Sequence, residues 1–170
     1  MKESDMDLRV ASWLFRNLGS VINKRGDNGD TLLHEAASAN DVVLIEFLIK
    51  KGADLEILND NGYTPLRKAF MRGNMDAFKM LLENGANPTA MDFADWTLLH
   101  TAVCCNEYEA AQMLLEKGAD PEAKTIKDGK TVLELASNDK MIKMILAAIK
   151  KKHNQSKNSA CSGMVRGLSK

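Results

Sequence analysis

The sequence predicts an all-α repeat solenoid of about four units, and three observations carry that prediction. The phrase Thr31-Leu32-Leu33-His34 returns as Thr64-Pro65-Leu66-Arg67, Thr97-Leu98-Leu99-His100 and Thr131-Val132-Leu133-Glu134, at offsets of 33, 33 and 34 residues. A second phrase keeps the period: Gly52-Ala53-Asp54, Gly85-Ala86-Asn87-Pro88 and Gly118-Ala119-Asp120-Pro121. Between the two phrases, apolar residues recur at helical spacing in paired short runs. A fixed period of this length marks stacked helical units that bury a core only against their neighbours.

Taken in order, residues 1–25 hold a capping helix: Ser4 is a fitting N-cap, and Leu8, Ala11, Leu14, Phe15 and Leu18 recur before Gly19 stops the run. The first repeat occupies 26–58, with a tight turn at Asp27-Asn28-Gly29-Asp30, helices near 31–39 and 41–50, and Gly52 as a left-handed cap. The second, 59–91, turns at Asp60-Asn61-Gly62-Tyr63, starts its first helix with Pro65 and puts Arg67 where the phrase has histidine. The third, 92–125, has Asp95 in place of the turn glycine; Asp tolerates left-handed backbone, so a turn is still expected. The fourth, 126–152, follows a loop with one extra residue. Matching Ile145-Leu146 to Phe47-Leu48 leaves it two residues short between its helices, as a C-terminal cap. Residues 153–170 lose the pattern and are expected to be disordered.

The T-P-L-H and G-A-D phrases, the 33-residue period and the paired helices resemble the ankyrin-repeat family over roughly residues 5 to 151. The resemblance implies the fold strongly and the function weakly, because function resides in sites rather than in folds.

Lys+Arg and Asp+Glu both number 23, so no global field advertises nucleic acid or an acidic membrane. The charged start Met1-Lys2-Glu3-Ser4-Asp5 argues against a secretory signal, and no apolar run has membrane-spanning length. Three cysteines, two of them adjacent, do not form a disulfide framework, which points to a reduced, cytoplasmic or also nuclear setting.

Catalysis and metal binding are not expected, nor is any cofactor or small-molecule substrate. His34 and His100 sit two repeats apart, roughly 20 Å if each repeat adds a helix-packing distance of ~10 Å, so they cannot share a ligand. The family resemblance instead gives them hydrogen bonds that tie the turn to the helix start. Cys104 and Cys105 would point about 100° apart on a helix, which does not suit chelation. Lys150-Lys151-Lys152, with Lys157, Arg166 and Lys170, makes the C-terminal end basic, with no acidic residue after Asp139. An import signal or anionic-surface patch is one reading of this run, and a solvated cap is the preferred one.

In an ankyrin stack the hairpin tips and first helices line a concave face, so the resemblance implies a binding surface repeat by repeat. Tip positions are Asp30, Tyr63, Trp96 and Lys130, each following the turn glycine or its replacement, with Asp27, Asp60, Phe93 and Lys127 three residues before them. First-helix ends add Met71 and Arg72 beside Ser38, Ala39, Cys104 and Cys105. Candidate partner-binding residues are therefore Asp30, Tyr63, Met71, Arg72, Phe93, Trp96, Lys127 and Lys130. Acids lie at one end and lysines at the other, with three of the nine aromatics between them. The chain is read as a monomeric protein-interaction module.

The loop from Ala119 to Thr131 is similar in spacing to a late repeat of the I-kappa-B/Cactus inhibitors, which implies a Rel/NF-kappa-B transcription factor as partner. The chain departs from that group in having no Asp-Ser-Gly phosphodegron and no acidic tail, as do the I-kappa-B-like proteins of some insect viruses. Ankyrin-type cyclin-dependent kinase inhibitors are similar in size, but their second repeat has a shortened first helix, whereas Thr64 to Gly85 is regular here. A general adaptor or a pathogen effector binding a cytoskeletal or signalling protein is the alternative.

Overall fold

A computed structural model describes Gly19 and residues 21–165, with side chains to Gln155. The capping helix expected over 4–18 lies outside the described residues. Eight α-helices and no strands occur among the described residues, an all-α repeat solenoid. They are α1 (Leu32–Ser38), α2 (Val42–Lys50), α3 (Pro65–Met71), α4 (Met75–Glu83), α5 (Leu98–Cys104), α6 (Tyr108–Glu116), α7 (Val132–Leu135) and α8 (Asp139–Val165). The first helix of the second repeat spans seven residues, like those of the first and third.

The chain divides into two compact units between Phe93 and Ala94. In the first unit, α1 packs on α2 and α3, and α4 packs on α2 and α3. In the second, α5 packs on α6 and α7, and α8 packs on α6 and α7. Leu33, Ile45, Leu48, Leu66, Phe78 and Leu81 are fully buried in the first core, and Leu99, Leu114, Met141 and Ile145 in the second. Phe70 and Phe78 add a tilted ring pair at 6.0 Å.

Threonine starts each first helix. Thr64 Oγ1 accepts from Arg67 N (3.3 Å), Thr97 Oγ1 from His100 N (3.4 Å) and Thr131 Oγ1 from Glu134 N (3.3 Å). Each helix pair in the first three repeats then turns through one left-handed residue: Asn40 (φ 56°), Gly73 (φ 72°) and Asn106 (φ 61°). Asparagines link successive pairs within each unit. Asn74 Nδ2 donates to the carbonyls of Ala37 and Ser38, both at 2.9 Å, closing the end of α1, while Asn40 Oδ1 accepts from Ala77 N (2.9 Å) in the first turn of α4. In the second unit Asn138 Nδ2 donates to Asn106 Oδ1, and Asn138 Oδ1 accepts from Met141 N (2.7 Å) at the start of α8.

The fourth repeat differs from its expected register. Val132 to Asp139 is a shorter step than Leu32 to Val42 by three residues, and Ile145, fully buried, takes the place of Leu48 rather than Phe47. Leu146, expected in the core, is 40% exposed. The left-handed turn residue is missing here: α7 ends after four residues, and Ala136 is extended (φ −72°, ψ 122°). The disorder expected over 153–170 is corrected for 153–165, where α8 continues to Val165, and residues 166–170 lie outside the described residues. Once a helix is nucleated, each further residue adds a hydrogen bond at low cost, and neither Pro nor Gly interrupts 139–162.

Replacing Asn74 by Ala leaves the Ala37 and Ser38 carbonyls without that donor. The expected loss is about 1–3 kcal/mol in urea denaturation; a loss indistinguishable from that of an exposed-site alanine would contradict the inter-repeat role.

Candidate partner-binding surface

The hairpin tips are built on a buried polar frame. In the first unit, Thr31 N donates to His34 Nδ1 (3.1 Å), which fixes the ring proton on Nε2, and Nε2 donates to the Tyr63 carbonyl 29 residues on (2.9 Å). His34 thus joins one repeat's helix start to the next repeat's hairpin. In the second unit, His100 Nδ1 lies 2.7 Å from Thr97 Oγ1, and Nε2 donates to the Ala123 carbonyl (3.2 Å). Both histidines are fully buried. Burial is the main cause that lowers their pKa below 6.5, partly offset by the carbonyls they serve.

Arg67 solves the same position differently. It is 4% exposed, its Nη1 reaches Asp92 Oδ2 at 2.9 Å, and its guanidinium lies 5.9 Å from the Tyr63 ring. This buried pair contrasts with Arg25 and Asp60, which pair at the tip with both side chains about half exposed or more.

The sequence candidates divide accordingly. Asp30 is 6% exposed. Its carboxylate accepts from Asn59 Nδ2 (2.8 Å) and meets Lys68 Nζ (2.6 Å). Burial alone would raise its pKa, but the hydrogen bonds from Lys68 and Asn59 outweigh it and hold it below 3.8. Asp30 is therefore engaged inside the unit. Tyr63 is half-buried, with its N–H donating to Asn59 Oδ1 (3.0 Å). Met71 is 52% exposed at the end of α3, and Arg72 beside it is exposed.

Phe93 is 68% exposed yet held in place. A Cβ built on Gly62 would lie 2.7 Å from Phe93 Cγ, so the ring rests directly on the backbone of the preceding tip. Gly62 also has φ 73°, so glycine is required there twice over. In the second unit, Trp96 is half-buried with its ring 6.1 Å from His100, and Asp95 takes φ 64° in the glycine's place. Lys127 and Lys130 are exposed, Lys130 Nζ being 3.5 Å from Asp128 Oδ2.

The loop with the extra residue forms a turn over 126–128 closed by an antiparallel Lys124–Thr131 bridge. Thr125, 33 residues after Asp92 and 66 after Asn59, does the work of Asn59: its Oγ1 accepts from Lys130 N (3.0 Å) and donates to Asp128 Oδ1 (2.8 Å). Ile126, in this lengthened loop, is 67% exposed, and Lys124, Lys127 and Lys130, its near neighbours in sequence, are exposed as well. Ile126 escaped the tip positions picked from sequence; the insertion beside it was the available signal. Cys104 and Cys105 are exposed free thiols, and no metal-binding cluster of His, Cys, Asp or Glu occurs among the described residues.

Two outcomes follow. Burial lowers the pKa of both histidines in the fold, whereas the unfolded chain takes up protons at them near pH 6.5. Their contribution is complete above that pH and declines as pH falls below it, so the urea midpoint should drop from about pH 7.5 to about pH 5.5. The drop should shrink in His34→Gln; an unchanged drop would contradict the assignment. Gly62→Ala should destabilise by about 1–3 kcal/mol, and by less in a Phe93→Ala background where only the backbone strain remains. Equal losses in both backgrounds would contradict the ring contact.

Among the described residues, no helix is long and apolar enough to cross a membrane. A comparison with curated proteins returns no match. The family model "Ankyrin repeats (3 copies)" matches residues 4–92, and "Ankyrin repeat" matches residues 94–126. With that match over more than half of the sequence, the threonine-led helix pairs and the hairpins tied by His34 and His100 are those of a member of the ankyrin-repeat family, to which this chain belongs.

Proposed function

We propose that this chain is a non-enzymatic, monomeric module that holds a partner protein on its hairpin tips. Ankyrin repeats are generally protein-interaction modules, and the observation that carries the reading is Phe93: a large ring seated on Gly62 and still 68% open to solvent. Such a ring presents apolar area with little side-chain entropy left to lose, which is the character of an interface hot spot. Tyr63 and Met71 supply further apolar contact in the same unit, and Arg72 a charge. In the second unit Trp96 and Ile126 are the apolar contacts, with Lys124, Lys127 and Lys130 around them. The lysines orient an acidic partner surface and speed its encounter more than they add affinity.

As the specific partner we take a Rel-homology transcription factor, which makes the chain an I-kappa-B-like inhibitor acting in the cytoplasm and reaching the nucleus. The support is the extended loop between Ala119 and Thr131, whose extra residue yields the exposed 126–128 turn.

The test is retention of a purified Rel-homology domain by the wild type and by a Tyr63→Ala, Phe93→Ala, Trp96→Ala variant of equal helicity. Retention by the wild type and at least about tenfold weaker binding by the variant, some 1.4 kcal/mol, is expected. No retention by either removes the Rel assignment. If lysate proteins are then kept by the wild type and lost by the variant, the general adaptor reading holds. Equal retention by both removes the aromatic tips.

A further inference from the structure

We propose that the outer face of α8 is a second docking surface, built for an acidic amphipathic helix of a partner protein. A helix face that no neighbouring helix covers is ordinarily polar. α8 turns Met141 and Ile145 inward, both fully buried. On the neighbouring flank Ile142, Leu146 and Ile149 form a line at i, i+4 and i+7, with Leu146 40% exposed and the other two half-buried. That spacing is the ridge that a second helix packs against.

The charges beside this line are selective. Lys140 lies over the Tyr108 ring, 3.7 Å from its centroid, and Lys152 binds Asp120 (2.7 Å) and Glu122 (3.0 Å), so both serve the unit itself. Lys143 and Lys150, next in sequence to Ile142 and Ile149, are exposed and make no ion pair among the described residues. Residues 140–170 contain eight Lys and Arg and no Asp or Glu in a chain of zero formal charge. An apolar ridge edged by two lysines is complementary to a helix with an apolar stripe edged by Asp or Glu.

Other occupants match less well. A membrane-bound helix sinks its apolar face ~5–10 Å into the lipid boundary, whereas Ile142 and Ile149 are largely covered and leave only a ridge. A second copy paired α8 to α8 about a two-fold axis would set lysine against lysine.

The experiment uses the full chain and a labelled synthetic peptide of about 16 residues with a leucine stripe flanked by glutamates, read by fluorescence anisotropy, beside a counterpart with lysine at each glutamate. The acidic peptide is expected to bind, more weakly as salt rises, and the lysine peptide not to bind. Leu146→Gln and the Lys143→Glu, Lys150→Glu double variant should each weaken binding about tenfold or more, while Lys151→Glu, off the seam, should leave it unchanged. All four positions are exposed, so folding is preserved, as checked by circular dichroism. Absence of peptide binding, or equal binding by all variants, overturns the proposal. So does capture of phosphatidylserine vesicles in place of the peptide, or concentration-dependent self-association that Leu146→Gln abolishes.

Discussion

The hydrogen bond from a buried imidazole to the next hairpin's carbonyl is the constraint on which the tips depend. A first helix of seven residues is too short to hold itself in water, and its exposed N-terminal amides need partners. Thr31 and His34 satisfy those groups, and the same ring then fixes the Tyr63 carbonyl, so one side chain sets both a helix start and the distance to the following tip. The second unit repeats the device with His100 and Ala123. Burial disfavours the charged form of both rings, and at His34 the Thr31 amide makes Nδ1 the acceptor, which leaves Nε2 as the donor to the next hairpin.

Arg67 shows what that position demands when histidine is absent. A guanidinium cannot accept from threonine and carries a charge into a buried place, and here it pairs with Asp92, the first residue of the next repeat. The consequence falls on Phe93. Asp92 faces inward to the pair, while the ring of the next residue lies over Gly62 and faces solvent. The most exposed aromatic among the described residues thus directly follows the acid that Arg67 engages.

Much of this was legible in the sequence. The period placed the helix pairs, and Asp95 could be assigned a left-handed turn because a short polar side chain tolerates it. Less local features were not legible. Asp30 reads as a tip acid, but Lys68 and Asn59, 38 and 29 residues away, enclose its carboxylate. Pairings across repeats leave no mark in a local pattern. Ile145 and Leu146 are both apolar, so the pattern could not say which faces inward once the turn between α7 and α8 had lost a residue more than expected. The helical course beyond His153 was hidden by a polar composition that is poor in helix signals yet has no breaker before Gly163.

The most direct test of the imidazole constraint is the long-range nitrogen–proton correlation spectrum of the two buried histidines. Both should appear as neutral rings protonated at Nε2, and should remain so as pH is lowered through about 6.5. A proton on Nδ1, or titration of both rings at an ordinary histidine pKa, would contradict the account.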